Sequence, residues 1–450
     1  MLRKNDIAEI YIDAYGYEGE GIGRIDGVPV FVPFTAKGDK VKVKIVKTAS
    51  SYMYGIAMEI LEHSPHRTIA PCFVFGKCGG CSIMHIEYEK QLELKTERVE
   101  DCMRKIGKLP VKVLPCIPSD KVFGYRNKIQ IPIGENKEGK PIAGFYAPRS
   151  HRIAENTACH LQTNQATEII NGFLKWMEEY KIKAYNEETG KGLVRHLFIR
   201  QGETGGNTEI AVMPIINGNN LPFSKELEEI LKPLGVTTLC ININKNRNNV
   251  ILGDTLKIVY GSGKIQDRLL DNLFDISPLS FYQVNRPQAE KLYEIAIKNG
   301  NFTKDDVIYD LYCGAGTITL SVAKYVKKVY GIEIVQASVD NAKENARKNG
   351  IVNAEFLCGD VSKTVKMIMK DNPPDGIILD PPRKGCDKEM LELLKEINSE
   401  KIVYISCNPA TLARDMAYLF DIGYTAKEVQ PVDLFPQTSH VECCVLLCGK

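Results

Sequence analysis

The chain has 450 residues, a formal net charge of +2, 44% hydrophobic and 25% charged residues. This is the composition of a folded protein of two to four domains; it excludes a disordered or fibrous chain and any strong overall field toward nucleic acid or membrane. The opening Met1-Leu2-Arg3-Lys4-Asn5-Asp6 lacks the apolar core of a signal peptide, and no later run reaches the roughly 18 apolar residues of a membrane span, so a cytoplasmic protein is expected. Fourteen cysteines are too sparse for a disulfide scaffold, and in a reducing compartment their spacing matters more than their number.

Residues 7–60 read as short strands broken by glycines, with apolar and polar residues alternating over 7–12, 28–32 and 41–46. Such spacing predicts a small, strongly curved barrel. Residues 37–54 carry five lysines against one aspartate, but residues 1–60 balance eight basic groups with eight acidic ones. The local charge therefore suits RNA contact and a solvated strand face equally. The run Gly16-Tyr17-Glu18-Gly19-Glu20-Gly21-Ile22-Gly23, followed by Val30-Phe31-Val32-Pro33, resembles a TRAM domain, which implies an RNA-binding barrel of the OB type.

Next come Cys72, Cys78 and Cys81 as C-x5-C-x2-C, with Gly79 and Gly80 allowing a tight ligand turn. Thiolates in this pattern hold zinc or an iron-sulfur cluster, and spacing does not separate the two; incidental thiols are the plainer alternative. Cys159, in Asn156-Thr157-Ala158-Cys159-His160, is the candidate fourth ligand. Residues 87–106 form a charge-rich run with Leu92, Val99 and Met103 at helical spacing, a connector helix. Residues 116–260 read as mixed strands and loops without a repeat, and Gly124-Tyr125-Arg126-Asn127-Lys128 offers an aromatic beside cations for RNA.

From about 265 strands alternate with helices, which predicts a mostly parallel sheet with its ligands beyond the carboxyl ends of the strands. The strand ending at Asp310 leads into Leu311-Tyr312-Cys313-Gly314-Ala315-Gly316-Thr317, and Glu333 ends the next strand, where an acidic side chain can accept from ribose hydroxyls. Thr319 stands where a dinucleotide site would carry a third glycine, which favours S-adenosylmethionine. Asp360 follows a further strand and suits either an adenine edge or a helix N-cap. Asp380-Pro381-Pro382-Arg383 stiffens a loop at the pocket mouth. Cys407, in Ser406-Cys407-Asn408-Pro409, ends an apolar strand and is either a nucleophile or a buried structural thiol. Glu442 lies in a largely apolar strand, as a proton acceptor or as a charge paired at the strand end, and His440 beside it is a helper or a structural residue.

The motifs at 380–383, 406–409 and 440–443, with Phe281-Tyr282-Gln283-Val284-Asn285, resemble those of the RNA uracil-5-methyltransferase family, and the likeness extends over nearly the whole chain. It implies a multidomain α/β protein: an OB-like TRAM barrel at 1–60, a central α+β region at 61–260 carrying an iron-sulfur site, and a class I, Rossmann-like methyltransferase domain at 261–450. It implies Cys407 as nucleophile and Glu442 as proton acceptor. Gln283, Tyr312, Glu333 and Asp380 would hold S-adenosylmethionine, with Asp360 and Thr317 as further candidates. Cys72, Cys78, Cys81 and Cys159 would hold a [4Fe-4S] cluster. The barrel and cysteine set together point to uridines of 23S ribosomal RNA, with transfer RNA as the alternative. A monomer is expected. A non-catalytic RNA-binding iron-sulfur sensor is the reading from another class.

Overall fold

The computed structural model describes residues 3–449. Strands β1 (Ile7–Tyr11), β2 (Ala14–Tyr15), β3 (Gly21–Ile25), β4 (Val28–Val32), β5 (Lys40–Thr48) and β6 (Met53–Glu62) form one sheet in the order β1-β5-β6-β4-β3-β2. Alternation sends Val41, Val43 and Ile45 inward to pack with Ile10, Val30 and Val32, while Lys42 and Lys44 point outward. Three register breaks between β5 and β6 add the twist by which so short a sheet curls. Gly55 lies against Val43 so closely that a Cβ would stand 2.2 Å from its methyl group. Only glycine permits that approach.

Helix α1 (Tyr88–Cys102) continues as a π-helical turn over Met103–Gly107, and a short strand β7 (Lys112–Val113) follows. The central sheet contains β8 (Lys128–Glu135), β9 (Pro141–Tyr146), β10 (Ile153–Glu155), β11 (Val194–Thr204), β12 (Asn207–Ile216), β13 (Thr238–Ile243) and β14 (Thr255–Tyr260), in the order β10-β9-β8-β11-β12-β13-β14. Helices α2 (Asn164–Glu179) and α3 (Ser224–Leu231) bury Phe173, Trp176 and Leu227 against Ile199 and Val212 of this sheet. A hairpin, β15 (Ile265–Leu269) and β16 (Asn272–Ile276), packs on the last unit through Phe274 and Ile276.

That unit comprises α4 (Arg286–Gly300), β17 (Val307–Leu311), α5 (Thr317–Ala323), β18 (Lys328–Glu333), α6 (Gln336–Lys348), β19 (Ala354–Cys358), α7 (Val361–Ile368) and β20 (Gly376–Leu379). It continues through α8 (Lys388–Ile397), β21 (Lys401–Ser406), α9 (Pro409–Asp421), β22 (Glu428–Val432) and β23 (Glu442–Cys448). The sheet order is β19-β18-β17-β20-β21-β23-β22-β7, and β23 alone runs antiparallel to its neighbours. This is the class I, Rossmann-like arrangement. Strand order reverses between β17 and β20, the switch point where such sheets open a ligand crevice.

The connector belongs physically to this last sheet. Val99, Cys102 and Met103 pack with Leu412 and Met416, and β7 pairs with β22. Lys95 and Asp433, both without solvent exposure, form an ion pair, and Tyr88 Oη donates to the same carboxylate at 2.9 Å. Gln91 Nε2 donates to Gln437 Oε1 at 3.0 Å. Helix α1 thereby clamps the loop that delivers β23 to the sheet edge. Among the described residues no helix is long and apolar enough to cross a membrane.

Candidate active site

Cys407 follows the last residue of β21, whose Ile402, Val403, Tyr404 and Ile405 are buried. Its position is fixed by the turn that ends the strand. Asn408 Oδ1 accepts from Ala410 N at 3.1 Å, capping α9, while its Nδ2 donates to Arg383 O at 3.0 Å. Pro409 then occupies the first turn of the helix, where its missing N–H costs nothing. Antiparallel pairing of β21 with β23 sets Ser406 opposite Cys443, so one step further Cys407 faces Glu442. Burial pushes the Cys407 thiol up to about 11, with Glu442 and Asp380 adding to the shift and Arg383 opposing it. Glu442, 5% exposed, is raised to about 8 by burial and then by Asp380, again against Arg383. Burial lowers His440 to about 4, with Arg383 and Arg98 adding to the effect, so its imidazole is neutral at pH 7.

The glycine turn opens beside this edge. Gly314 has φ +54° and Gly316 +80°, but for different reasons. A Cβ on Gly314 would meet no atom within 4 Å, so that backbone borders open space, whereas one on Gly316 would strike Phe356 and Ala342. Glu333 Oε2 accepts from Gly314 N at 3.1 Å and its Oε1 from Val335 N at 2.9 Å, which pins the carboxylate to the turn. Asp380, one residue past β20, is pushed up to about 7 by burial. Tyr312 is half-buried, held at φ +70° with its N–H donating to Ile332 O at 3.0 Å.

Two groups here carry no local motif. Tyr293, buried on α4, has its hydroxyl 3.1 Å from Thr317 Oγ1, and burial followed by the nearby Asp380 raises it well above its usual range. Gln283 also reaches this hydroxyl, so Gln283, Thr317 and Asp380 gather around one ring. Asp310 is buried, accepts from Thr319 Oγ1 and is raised to about 7 by burial. Its Oδ1 has no partner. A buried acceptor left open beside a glycine turn, near Glu333, suits a polar, positively charged ligand. Asp360 caps α7 by accepting from Lys363 N at 3.1 Å, the N-cap alternative that its position after a strand allowed, and it is near enough to add to the upward shift that burial gives Tyr312.

In the segment 124–128 one side chain, Tyr125, is taken up by packing, while Arg126, Asn127 and Lys128 are half-buried. Tyr125 is 6% exposed and its hydroxyl donates to Pro436 O at 3.1 Å, so the ring expected to be free for RNA is covered. Asn127 Nδ2 donates to Gln283 O at 3.0 Å, which steadies the Gln283 backbone.

Cys72, Cys78, Cys81 and Cys159 line one cavity with Phe75, Met84 and Leu161. Burial raises the Cys81 thiol to about 12, and the neighbouring Cys159, Cys78 and Cys72 add to the shift while Arg126 opposes it. Among the described residues no group of three or more His, Cys, Asp or Glu side chains is drawn together so as to hold a metal ion. A single tetrahedral zinc would need its four sulfurs about 3.8 Å apart, from metal–sulfur bonds of about 2.3 Å. In a four-iron cube each thiolate binds its own iron, so the sulfurs surround a larger volume.

Strand order and glycine turn together define a class I methyltransferase fold, with a thiol facing a carboxylate across its sheet edge. The family model described as tRNA (Uracil-5-)-methyltransferase matches residues 224–450, and that of the TRAM domain matches 3–58. An uncharacterized RNA methyltransferase of Clostridium acetobutylicum is 43% identical over 99% of this chain and 98% of its own length. Another, from Halalkalibacterium halodurans, is 42% identical over 99% and 98%. The chain belongs to the RNA uracil-5-methyltransferase family. Among solved structures, the Pyrococcus abyssi tRNA (uracil-54, C5)-methyltransferase in complex with S-adenosyl-L-homocysteine superposes with a TM-score of 0.79 at 27% identity, covering 98% of this chain and 99% of that one.

Proposed function

We propose that the protein methylates C5 of uridine in RNA, taking the methyl group from S-adenosylmethionine through a transient bond between Cys407 and C6 of the ring. The observation that carries this reading is the register of β21 and β23, by which Cys407 stands beside Glu442, with Asp380 near both. Uracil C5 is a poor nucleophile until a thiolate adds to C6 and turns the ring into an enolate. Cys407 forms that sulfur–carbon bond. S-adenosylmethionine, when bound, supplies an electrophilic methyl to the electron-rich C5. Glu442 removes the C5 proton, and the electrons of the C5–H bond restore the double bond as the C6–sulfur bond breaks and thiolate returns. A carboxylate raised to about 8 is a stronger base than an ordinary one and close to neutral pH. Arg383 opposes the upward shifts at both groups and helps to hold their anionic forms. Gln283, Tyr312, Thr317, Glu333 and Asp380 surround the cofactor in this reading, with Asp360 at its margin.

The test is covalent capture. RNA containing 5-fluorouridine has no C5 proton to lose, so the adduct persists after methylation. Wild-type protein should form it, and Cys407→Ala should not while still binding RNA. No adduct from wild type would favour the non-catalytic sensor instead.

For the RNA itself we propose uridines of 23S ribosomal RNA, from the barrel combined with the cysteine set. Transfer RNA has its own support: the Pyrococcus enzyme named for a tRNA position matches 98% of this chain, front region included. Mapping 5-methyluridine in both RNAs from cells lacking the gene separates the two. We also propose that Cys72, Cys78, Cys81 and Cys159 hold a [4Fe-4S] cluster, which would tie the 72–81 loop to the loop around 159. Stoichiometric zinc without iron in anaerobically purified protein would overturn this.

A further inference from the structure

Helix α9 starts at the nucleophile turn, and one side of it grips a second loop. Asn408, Thr411 and Asp415 recur at the spacing of a single helix face, and all three touch the segment 383–386 between β20 and α8. Arg383 O accepts from Asn408 Nδ2 at 3.0 Å and from Thr411 Oγ1 at 3.4 Å. Arg414 Nη2 donates to Lys384 O at 3.0 Å and to Cys386 O at 2.9 Å. Gly385 N donates to Pro382 O at 2.8 Å, closing the loop on itself.

Asp415 is the centre of this arrangement. It has no solvent exposure, which a carboxylate tolerates only with its oxygens filled. Oδ2 accepts from Cys386 N at 2.8 Å and from the Tyr404 hydroxyl at 2.6 Å, on the strand that ends at the nucleophile turn. Oδ1 accepts from Arg414 Nε at 2.8 Å and Nη2 at 2.6 Å. Gly385 crosses here at φ +73°, and a Cβ on it would stand 2.5 Å from Asp415 Oδ2 and 2.7 Å from Arg414 Nη2. The loop therefore lies against the carboxylate with no room for a side chain between them.

Arg383 is held in another way. It is exposed, and among the described residues its guanidinium enters no ion pair, so its backbone is what places it. The guanidinium is nonetheless close enough to Cys407 and Glu442 to oppose the upward shift that burial gives both. One helix thus carries the nucleophile turn at its start and fixes the loop of the facing cation along its side.

We propose that Asp415 is a positioning residue that acts through the 383–386 loop on Arg383, keeping its guanidinium in register with Cys407. Loop packing alone would be served by apolar side chains, without the desolvation of a carboxylate. The inference rests on the uridine-methylation reading only for the use made of the thiolate. The placement of Arg383 beside Cys407 can be measured without methyl transfer.

The experiment follows alkylation of Cys407 by iodoacetamide in the full chain, read by mass spectrometry of the peptide that contains it. Only the thiolate reacts, so the rate reports its ionised fraction. Glu442, Asp380 and Arg383 face this sulfur, and the two carboxylates are kept in every variant. Arg383→Ala should slow alkylation at pH 8 by roughly threefold or more, since losing a cation disfavours the thiolate. Asp415→Asn should also slow it, by roughly as much. Its charge acting directly would do the opposite, because removing an anion favours a neighbouring thiolate. Tyr404→Phe takes one donor from Asp415 without changing charge and should slow the reaction by roughly twofold, carrying the test if Asp415→Asn fails to fold. Added to Arg383→Ala, neither substitution should slow it further. Unchanged or faster alkylation in Asp415→Asn and Tyr404→Phe, or a slowing that persists in full without Arg383, would overturn the proposal and leave Asp415 a structural residue. Unchanged alkylation by these variants in a protein that captures 5-fluorouridine RNA would sink the positioning alone. Slowed alkylation in a protein that captures none would sink the uridine chemistry and leave the positioning.

Discussion

Cys407 and Cys81 are both thiols pushed up by burial, to about 11 and about 12, but the neighbours that add to the shift differ. Beside Cys407 stand Glu442 and Asp380; beside Cys81 stand the sulfurs of Cys159, Cys78 and Cys72. Carboxylates next to a lone thiol make its charge depend on where protons are, as the proposed transient bond to carbon requires. Thiolates facing one another are relieved by a shared cation and stay put. Placement differs as well. Strand register brings Cys407 to Glu442, whereas loops far apart in sequence bring Cys159 to the others.

The sharpest break in that comparison is Cys407→Ala. Without the sulfur no enolate forms, and methyl transfer should fall by about 10⁴-fold or more. Cys159→Ala should instead lower the iron content and leave the Cys407 turn chemically intact. Single-turnover transfer and iron analysis on both variants read the two sites separately.

Glu442→Gln should cost roughly 10²- to 10⁴-fold in rate, the range for losing a positioned base. It should also trap the covalent adduct on ordinary RNA, because the methylated C5 keeps its proton. The sign of the pH dependence follows. A base must be unprotonated, so the wild-type rate should rise with pH through about 8 as Glu442 ionises, and rise further toward about 11 as Cys407 does. Glu442→Gln should lose the lower limb and shift the upper one downward, since the Glu442 charge no longer opposes the thiolate. A flat wild-type profile between pH 6 and 9 would remove Glu442 from the proton step.

Part of this candidate site is legible in the sequence because its residues follow or end strands: Glu333, Asp380 and Cys407 are read off the apolar runs before them. Glu442 was visible as a charge in an apolar strand, but its meeting with Cys407 depends on β23 running antiparallel beside β21, which no local pattern encodes. Tyr293 carries no sequence signal, because a tyrosine in mid-helix looks like core; only the folded chain brings its hydroxyl to Thr317. Tyr125 was misjudged for the opposite reason. The sequence shows only an aromatic next to two cations; Pro436, 311 residues away, takes the hydroxyl. Barrel and alternating sheet were legible from period alone, and so was the connector helix, but not the sheet it packs on.

A weaker perturbation acts through that connector. Lys95 is fully buried against Asp433, and removing one partner of such a pair leaves the other charge uncompensated. Lys95→Ala should destabilise the protein by about 3–5 kcal/mol, read by urea unfolding. Because Asp433 precedes β23, the same variant should also displace Glu442 and depress transfer, whereas the metal content of the purified protein should not change. A stable Lys95→Ala protein with normal transfer would mean that the clamp does not hold the edge.

The smallest expected effect tests whether the barrel steadies the nucleophile. Tyr17 Oη donates to Asn408 at 3.2 Å, and the Arg98 guanidinium lies 3.9 Å from the Tyr17 ring centroid while also donating to Ser439 O. Arg98 therefore touches the segment leading to Glu442 while Tyr17 touches the turn holding Cys407. Tyr17→Phe deletes only the hydroxyl and keeps the ring over Arg98. For a half-exposed hydrogen bond the loss is about 0.5–1 kcal/mol, a two- to fivefold fall in transfer at saturating RNA. Overall stability should move by less than about 0.5 kcal/mol, because the site is at the surface. Asn408 retains its cap to Ala410 in the variant, so the turn survives but can shift between positions. A fall in kcat without a change in RNA affinity would identify Tyr17 as a positioning residue; a change in affinity alone would remove it from the Cys407 turn's support.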